Sequence, residues 1–226
     1  AAIAGGIMRS GSVLTACWST ERKFAHTACL RARLRNNVLV RKLVITAFLF
    51  GISLQASAAP IPDSPDRQTS WGLYVDSREA FELKTGTEGK KILFVDVRDP
   101  IEIMFTGFTD TVDINIPFLI SNPTKWNEKK SVYAMEPNKD FESDIVKALN
   151  DRGLTKDDKI ILMCRSGGER GAPSAKALDG KGFKQVYVVT DGFEGDTVKE
   201  GPKKNWRLVN GWKSSGLPWG YKLNKQ

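Results

Sequence analysis

Apolar residues in the later part of the chain gather in short, unbroken runs, with helix-period patterns between them. Ile92–Val95 (ILFV), Lys159–Met163 (KIILM) and Gln185–Val189 (QVYVV) are the clearest runs, and Leu73–Val75 and Val112–Ile116 are shorter ones. A strand with one face in water alternates polar and apolar residues. A continuous run is covered on both faces, the habit of a parallel sheet between helices. Helical signals fall between the runs. Asp76-Ser77 offers a cap for a helix through Leu83, Asp140–Leu149 puts Phe141, Ile145, Val146 and Leu149 on one face, and Ala172–Leu178 has helical character. The pattern predicts an α/β fold in one domain. Residues 118–139 carry Pro, Asn and Lys without clear period and are expected to form a long loop or insertion, and residues 59–71 read as a flexible Pro/Ser/Asp lead-in.

Upstream the pattern changes character. Arg41-Lys42 precedes an uncharged apolar run, Leu43–Leu54, and then Gln55-Ala56-Ser57-Ala58, with small residues where a signal peptidase cuts. This layout predicts a signal peptide over 37–58 and an exported protein, with the bacterial periplasm as its destination. The run is shorter than the roughly 20 residues that span a bilayer, so no stable membrane span is expected. Residues 1–36 are Arg-rich and do not begin with Met. They are expected to be a leader of doubtful translation, with a mitochondrial presequence as the competing reading.

Charge then separates the two parts. The chain has 34 Lys+Arg and 26 Asp+Glu, a net +8. Residues 1–58 hold eight of the basic side chains against Glu21 alone, so +7 of that excess belongs to the leader. The remainder is close to neutral, and no nucleic-acid partner is expected of it. His26, Cys17 and Cys29 also lie in the leader, leaving Cys164 as the single cysteine beyond residue 58 and no histidine there. A Cys/His metal site, a Ser-His-Asp triad and a Cys-His pair are thereby excluded from that part of the chain. Neither a metal nor a cofactor is expected.

Cys164 follows directly on the KIILM run, and in open parallel sheets ligands bind beyond the carboxyl ends of the strands. The segment Cys164-Arg165-Ser166-Gly167-Gly168-Glu169-Arg170-Gly171 leads from that strand into the next helical stretch. Two glycines permit a tight turn in which successive backbone N–H groups form an anion-binding nest, with the following helix adding its positive end. With Arg165 and Arg170, this field favours the thiolate of Cys164 and would hold an anion beside it without any histidine. A buried structural cysteine is the bland alternative.

These residues resemble a rhodanese-like domain over about residues 72–195. The resemblance rests on Asp96-Val97-Arg98 ending a strand, Asn115-Ile116-Pro117 after the next, the strand-Cys-Arg-Ser-Gly loop, and Asp191-Gly192-Phe193-Glu194-Gly195 after the last. It implies a five-stranded, mostly parallel sheet with helices on both faces. It also implies a sulfurtransferase in which Cys164 takes sulfane sulfur from thiosulfate or a persulfide donor and passes it to a thiophilic acceptor. Gly107 is followed by Phe108 rather than the family's frequent Gly-His-Ile, and Cys164 through Arg170 spans seven residues, one more than the usual sulfurtransferase loop. That Cys-x5-Arg spacing, and Glu169-Arg170-Gly171, resemble Cdc25-type phosphatases and related arsenate reductases. A Cys-dependent phosphatase or arsenate reductase is therefore one alternative, and a non-catalytic rhodanese binding module another.

The resemblance assigns catalysis to Cys164 and substrate binding to Arg165, Ser166, Gly167, Gly168, Glu169 and Arg170, with Arg170 directing its fork into the cradle. Glu169 would be a leaving-group acid in a phosphatase, or a helix-start charge or ion-pair partner in a sulfurtransferase. Asp96 and Arg98 are expected to organise the site through hydrogen bonds. The extension over 196–226 carries Trp206, Trp212, Trp219 and Tyr221. Its aromatics are expected to fold back over the domain, with a wall of the crevice or a protein-docking surface as the sharper alternative.

Overall fold

A computed structural model describes residues 59–223. The segments expected as leader (1–36) and signal peptide (37–58) lie outside the described residues. Five strands form one sheet: β1 (Tyr74–Val75), β2 (Ile92–Asp96), β3 (Ile114–Asn115), β6 (Lys159–Met163) and β7 (Gln185–Val189). Their order is β1-β7-β6-β2-β3 and every pairing is parallel. The three five-residue strands, β7, β6 and β2, lie side by side at the centre, with Val95 of β2 beside Leu162 and Asp96 beside Met163 of β6. Every residue of β2 is buried, as its unbroken apolar run requires.

Because side chains alternate along a strand, the same runs feed two cores. Leu93, Val95, Ile160, Leu162 and Val188 point to one face, where helix α3 (Phe141–Asn150) supplies Phe141, Ile145 and Leu149, and Ala175 of α4 (Gly171–Lys176) packs beside them. Phe94, Ile161, Met163 and Val189 point to the other face, against Ala80 of α1 (Ser77–Thr85) and Trp212 of the C-terminal extension. Asp76 caps α1 through a reciprocal capping box with Glu79. Trp212 is fully buried, 5.9 Å from the Phe81 ring and 5.8 Å from that of Phe94, and its Nε1–H donates to Pro218 O at 2.9 Å.

Three features depart from the sequence reading. Helix α2 (Pro100–Thr106) follows β2 directly, with Pro100 in its first turn and the Asp99 carboxylate accepting from Ile101 N at 2.8 Å. Residues 118–139 are not a loop. They form an antiparallel hairpin of β4 (Leu119–Asn127) and β5 (Val132–Pro137), turning through Ser131 at φ +53°. The ribbon has little period because none of its strand residues is fully buried: Ile120, Trp126, Val132 and Tyr133 all remain exposed, and the register shifts between Asn122 and Trp126. The lead-in is laid against the domain instead of trailing free, through a 3-10 turn at Pro65–Arg67, a buried Ala59, and Asp66 O accepting from Lys176 Nζ.

Candidate active site

Cys164 is the first residue after the central strand β6 and is 2 % exposed. The chain then turns sharply, and Gly167 permits the turn. Its φ is +69°, and a Cβ there would lie 1.8 Å from Thr190 O, so both conformation and space restrict the position to glycine. Gly171 closes the loop over the sulfur, since a Cβ on it would stand 3.5 Å from Cys164 Sγ and 3.0 Å from Val188 Cγ1.

The loop is held from behind through its carbonyls. Cys164 O accepts from Phe193 N at 2.8 Å, and Arg165 O accepts from Glu194 N at 2.8 Å and Gly195 N at 3.2 Å. Asp191 anchors that holding turn by accepting from Ser77 N (2.9 Å), Ser77 Oγ (2.8 Å) and Gly211 N (3.0 Å). Burial pushes the Asp191 carboxyl above its ordinary value, against the opposing pull of these hydrogen bonds. In contrast to the carbonyls, the backbone N–H groups of residues 165–170 take no protein acceptor among the described residues. A loop fixed by its acceptors, with six successive donors left over, is suited to an anion. Helix α4 has only six residues, so these amides, rather than a helix macrodipole, supply the positive field.

A cavity of about 660 Å³ opens over Cys164. Arg165, Ser166, Gly168, Glu169 and Arg170 line it with the cysteine, and Gly167 stands behind as the turn. The hairpin forms one wall through Lys130, Tyr133 and Met135, and the C-terminal extension forms another through Thr197 and Arg207. Of the four aromatics expected to fold back over the domain, only Trp212 is buried, while Trp219 and Tyr221 are exposed, and it is Thr197 and Arg207, not an aromatic, that border the crevice. Trp206 remains exposed.

Individual roles follow from partners. Arg165 Nε donates to Glu194 Oε2 at 2.7 Å, and Glu169, well exposed, pairs with Lys130 Nζ at 2.8 Å. Asp96 and Arg98 do not reach the cavity. Their sealed pair (Nη2 to Oδ2, 2.6 Å) lies under Phe193, whose ring centroid is 4.0 Å from the guanidinium, and Arg98 also donates to Gly107 O at 3.0 Å. They pin the end of β2 to the turn after α2.

Arg170 is the largest surprise. Its guanidinium lines the cavity, yet both arms are taken by Glu102 of α2: Nη1 pairs with Oε2, and Nη2 donates to Oε1 at 3.0 Å. Burial works against the Arg170 charge, but Glu102, with smaller help from Cys164 and Asp96, outweighs it and holds the guanidinium above its ordinary value. Glu102, Arg67, Lys130 and Arg207 are site residues the sequence did not disclose. Only Glu102 left a trace, because Asp99-Pro100 is a helix-start signal that would have placed a carboxylate on a helix beside β2.

Comparison with other proteins completes the picture. The chain is 31% identical over 94 residues to an uncharacterised protein, RP600, of Rickettsia prowazekii, and 32% identical over 94 residues to RC0915 of Rickettsia conorii. Each match takes in 41% of this chain and 65% of the relative, just short of two-thirds of its length. Among solved structures, Rv0390 of M. tuberculosis matches at 26% identity and a TM-score of 0.45, covering 66% of this chain and 97% of that one. The polysulfide-sulfur transferase homodimer of Wolinella succinogenes matches at 20% identity and a TM-score of 0.38, over 65% and 76%. The model of the rhodanese-like domain matches residues 79–197, from within α1 to just past the turn that holds the cysteine loop, and the chain belongs to that family.

Proposed function

We propose that this protein is a sulfurtransferase that carries sulfur as a persulfide on Cys164. The observation that supports this best is the loop itself: a cysteine lining a cavity together with its own loop, whose backbone N–H groups over 165–170 have no protein acceptor among the described residues. In the first half-reaction the Cys164 thiolate attacks the outer sulfur of thiosulfate, the donor's S–S bond breaks, and sulfite leaves with the electron pair. In the second, a thiophilic acceptor attacks the outer sulfur of the persulfide, and the Cys164 thiolate departs with the pair. No external oxidant or reductant is needed. Unshared loop N–H groups stabilise the anionic sulfur in both halves. Arg67, Lys130 and Arg207 at the cavity favour entry of an anionic donor.

The seven-residue loop keeps phosphatase or arsenate chemistry as the second reading. Against it, a phosphate or arsenate whose central atom must meet the thiolate calls on the Arg170 fork, and Glu102 occupies that fork, whereas thiosulfate offers its outer sulfur. A binding-only role is disfavoured by the cysteine lining the cavity.

The test is the intact mass of the full chain carrying Cys17→Ser and Cys29→Ser, so that Cys164 is its sole thiol. Thiosulfate is expected to add one sulfur atom, and cyanide to remove it with release of thiocyanate. Cys164→Ser in the same background is expected to abolish both changes. A mass that stays constant with thiosulfate and with an alkyl persulfide donor refutes the proposal, and an aryl phosphate assay would then examine the second reading.

A further inference from the structure

Arg170 and Glu102 meet 68 positions apart in sequence, each arm of the guanidinium on a different carboxylate oxygen, with the side chains only 8% and 18% exposed. Bidentate pairing of this kind is the arrangement by which an arginine holds a phosphate, so the two ligands compete for one fork. Glu102 is also well held from its own side. Its helix is capped by Asp99, whose other oxygen accepts from Ser121 N of the hairpin at 2.7 Å, and Thr106 Oγ1 donates to Glu102 O at 2.8 Å. The carboxylate itself lines the cavity, where it repels a second anion at short range.

We infer that Glu102 is a positioning residue that sets the anion selectivity of the Cys164 cavity: by clamping Arg170 it denies the fork to oxyanions such as phosphate, whose central atom must meet the thiolate, whereas thiosulfate presents its outer sulfur and can be held by the loop amides. This rests on the reading of the cavity as the place where Cys164 meets its substrate. Glu102 touches no reacting atom and acts through Arg170. Neutralising it would release a buried guanidinium into the cavity and remove one negative charge from the wall. Of the other cations at the cavity, Arg165 is paired with Glu194, Lys130 with Glu169, and Arg207 donates to Gly195 O; Arg67 has no ion pair among the described residues but is common to every variant compared.

Titration calorimetry of the reduced full chain with inorganic phosphate tests the inference. The native chain is expected to bind weakly, Glu102→Gln at least about tenfold more tightly, and Glu102→Gln/Arg170→Lys weakly again, because lysine cannot reproduce the fork. A purely structural role for Glu102 would lower thermal stability without any gain in phosphate affinity. Unchanged affinity in Glu102→Gln, or a gain that persists in the double variant, overturns the inference. Should Glu102→Gln fail to fold, Glu102→Asp decides. Its shorter carboxylate loosens the clamp, so tighter phosphate binding than in the native chain is expected, and equal or weaker binding overturns it. The readout needs no sulfur transfer, so failure here leaves the persulfide test standing, and failure of that test leaves this result standing.

Discussion

Two arginine–carboxylate pairs flank the end of β2, and they have opposite characters. Arg98–Asp96 is closed on every side: the carboxylate sits on the strand, the guanidinium lies under Phe193, and further arms reach Thr106 Oγ1 and Gly107 O. Arg170–Glu102 has the same chemistry but stands at the edge of a cavity, and the pair's guanidinium has no further hydrogen-bond partner among the described residues. The lesson concerns saturation. A charge whose donors are all satisfied inside the protein is a joint, whereas one held by a single removable partner is a group the site could use.

That contrast is open to test, beginning with the largest effect. Asp96→Ala leaves a sealed guanidinium without its counter-charge, and it should cost about 3–5 kcal/mol of stability in urea unfolding. The surviving folded fraction should still take up sulfur at Cys164. Loss of sulfur uptake with little change in stability would mean that the sealed pair belongs to the chemistry after all.

Glu102→Ala should cost less, about 1–2 kcal/mol in the same measurement, because the released Arg170 can be solvated through the cavity. A cost equal to that of Asp96→Ala would erase the distinction between joint and usable group. Lys130→Ala marks the lower limit. Lys130 and Glu169 are 53% and 73% exposed, so breaking their pair should change stability by under about 1 kcal/mol, while modestly slowing sulfur uptake from thiosulfate at low salt. A larger loss would show that the exposed pair holds the hairpin against the loop.

Much of this architecture was legible in the sequence because its physical causes are local. Continuous burial of β2 and β6 writes itself as ILFV and KIILM, and the turn after β6 writes itself as Cys164-Arg165-Ser166-Gly167. The pairing of Asp96 with Arg98 is within reach of the sequence, since two residues at a strand end can meet without any knowledge of the rest of the fold. The hairpin was illegible because a ribbon with no fully buried residue has no strong inside and outside to alternate. Arg170 was placed correctly at the cavity, but its partner Glu102 was not seen, because that contact depends on how α2 lies beside the loop. Arg67 and Arg207 are likewise brought to the cavity by packing over long sequence distances, which residue spacing does not encode.

The carbonyl anchorage of the cysteine loop has one more implication. Phe193 and Glu194 hold the loop, and the same turn is held in its own right by Trp212 N donating to Gly192 O at 2.9 Å and Lys213 N donating to Phe193 O at 3.1 Å. Support thus passes from the C-terminal extension through the turn to Cys164, against the direction of synthesis. A nascent chain displays its thiol before the residues that brace the loop have been made, and the cradle is finished only when Trp212 and Lys213 have been added.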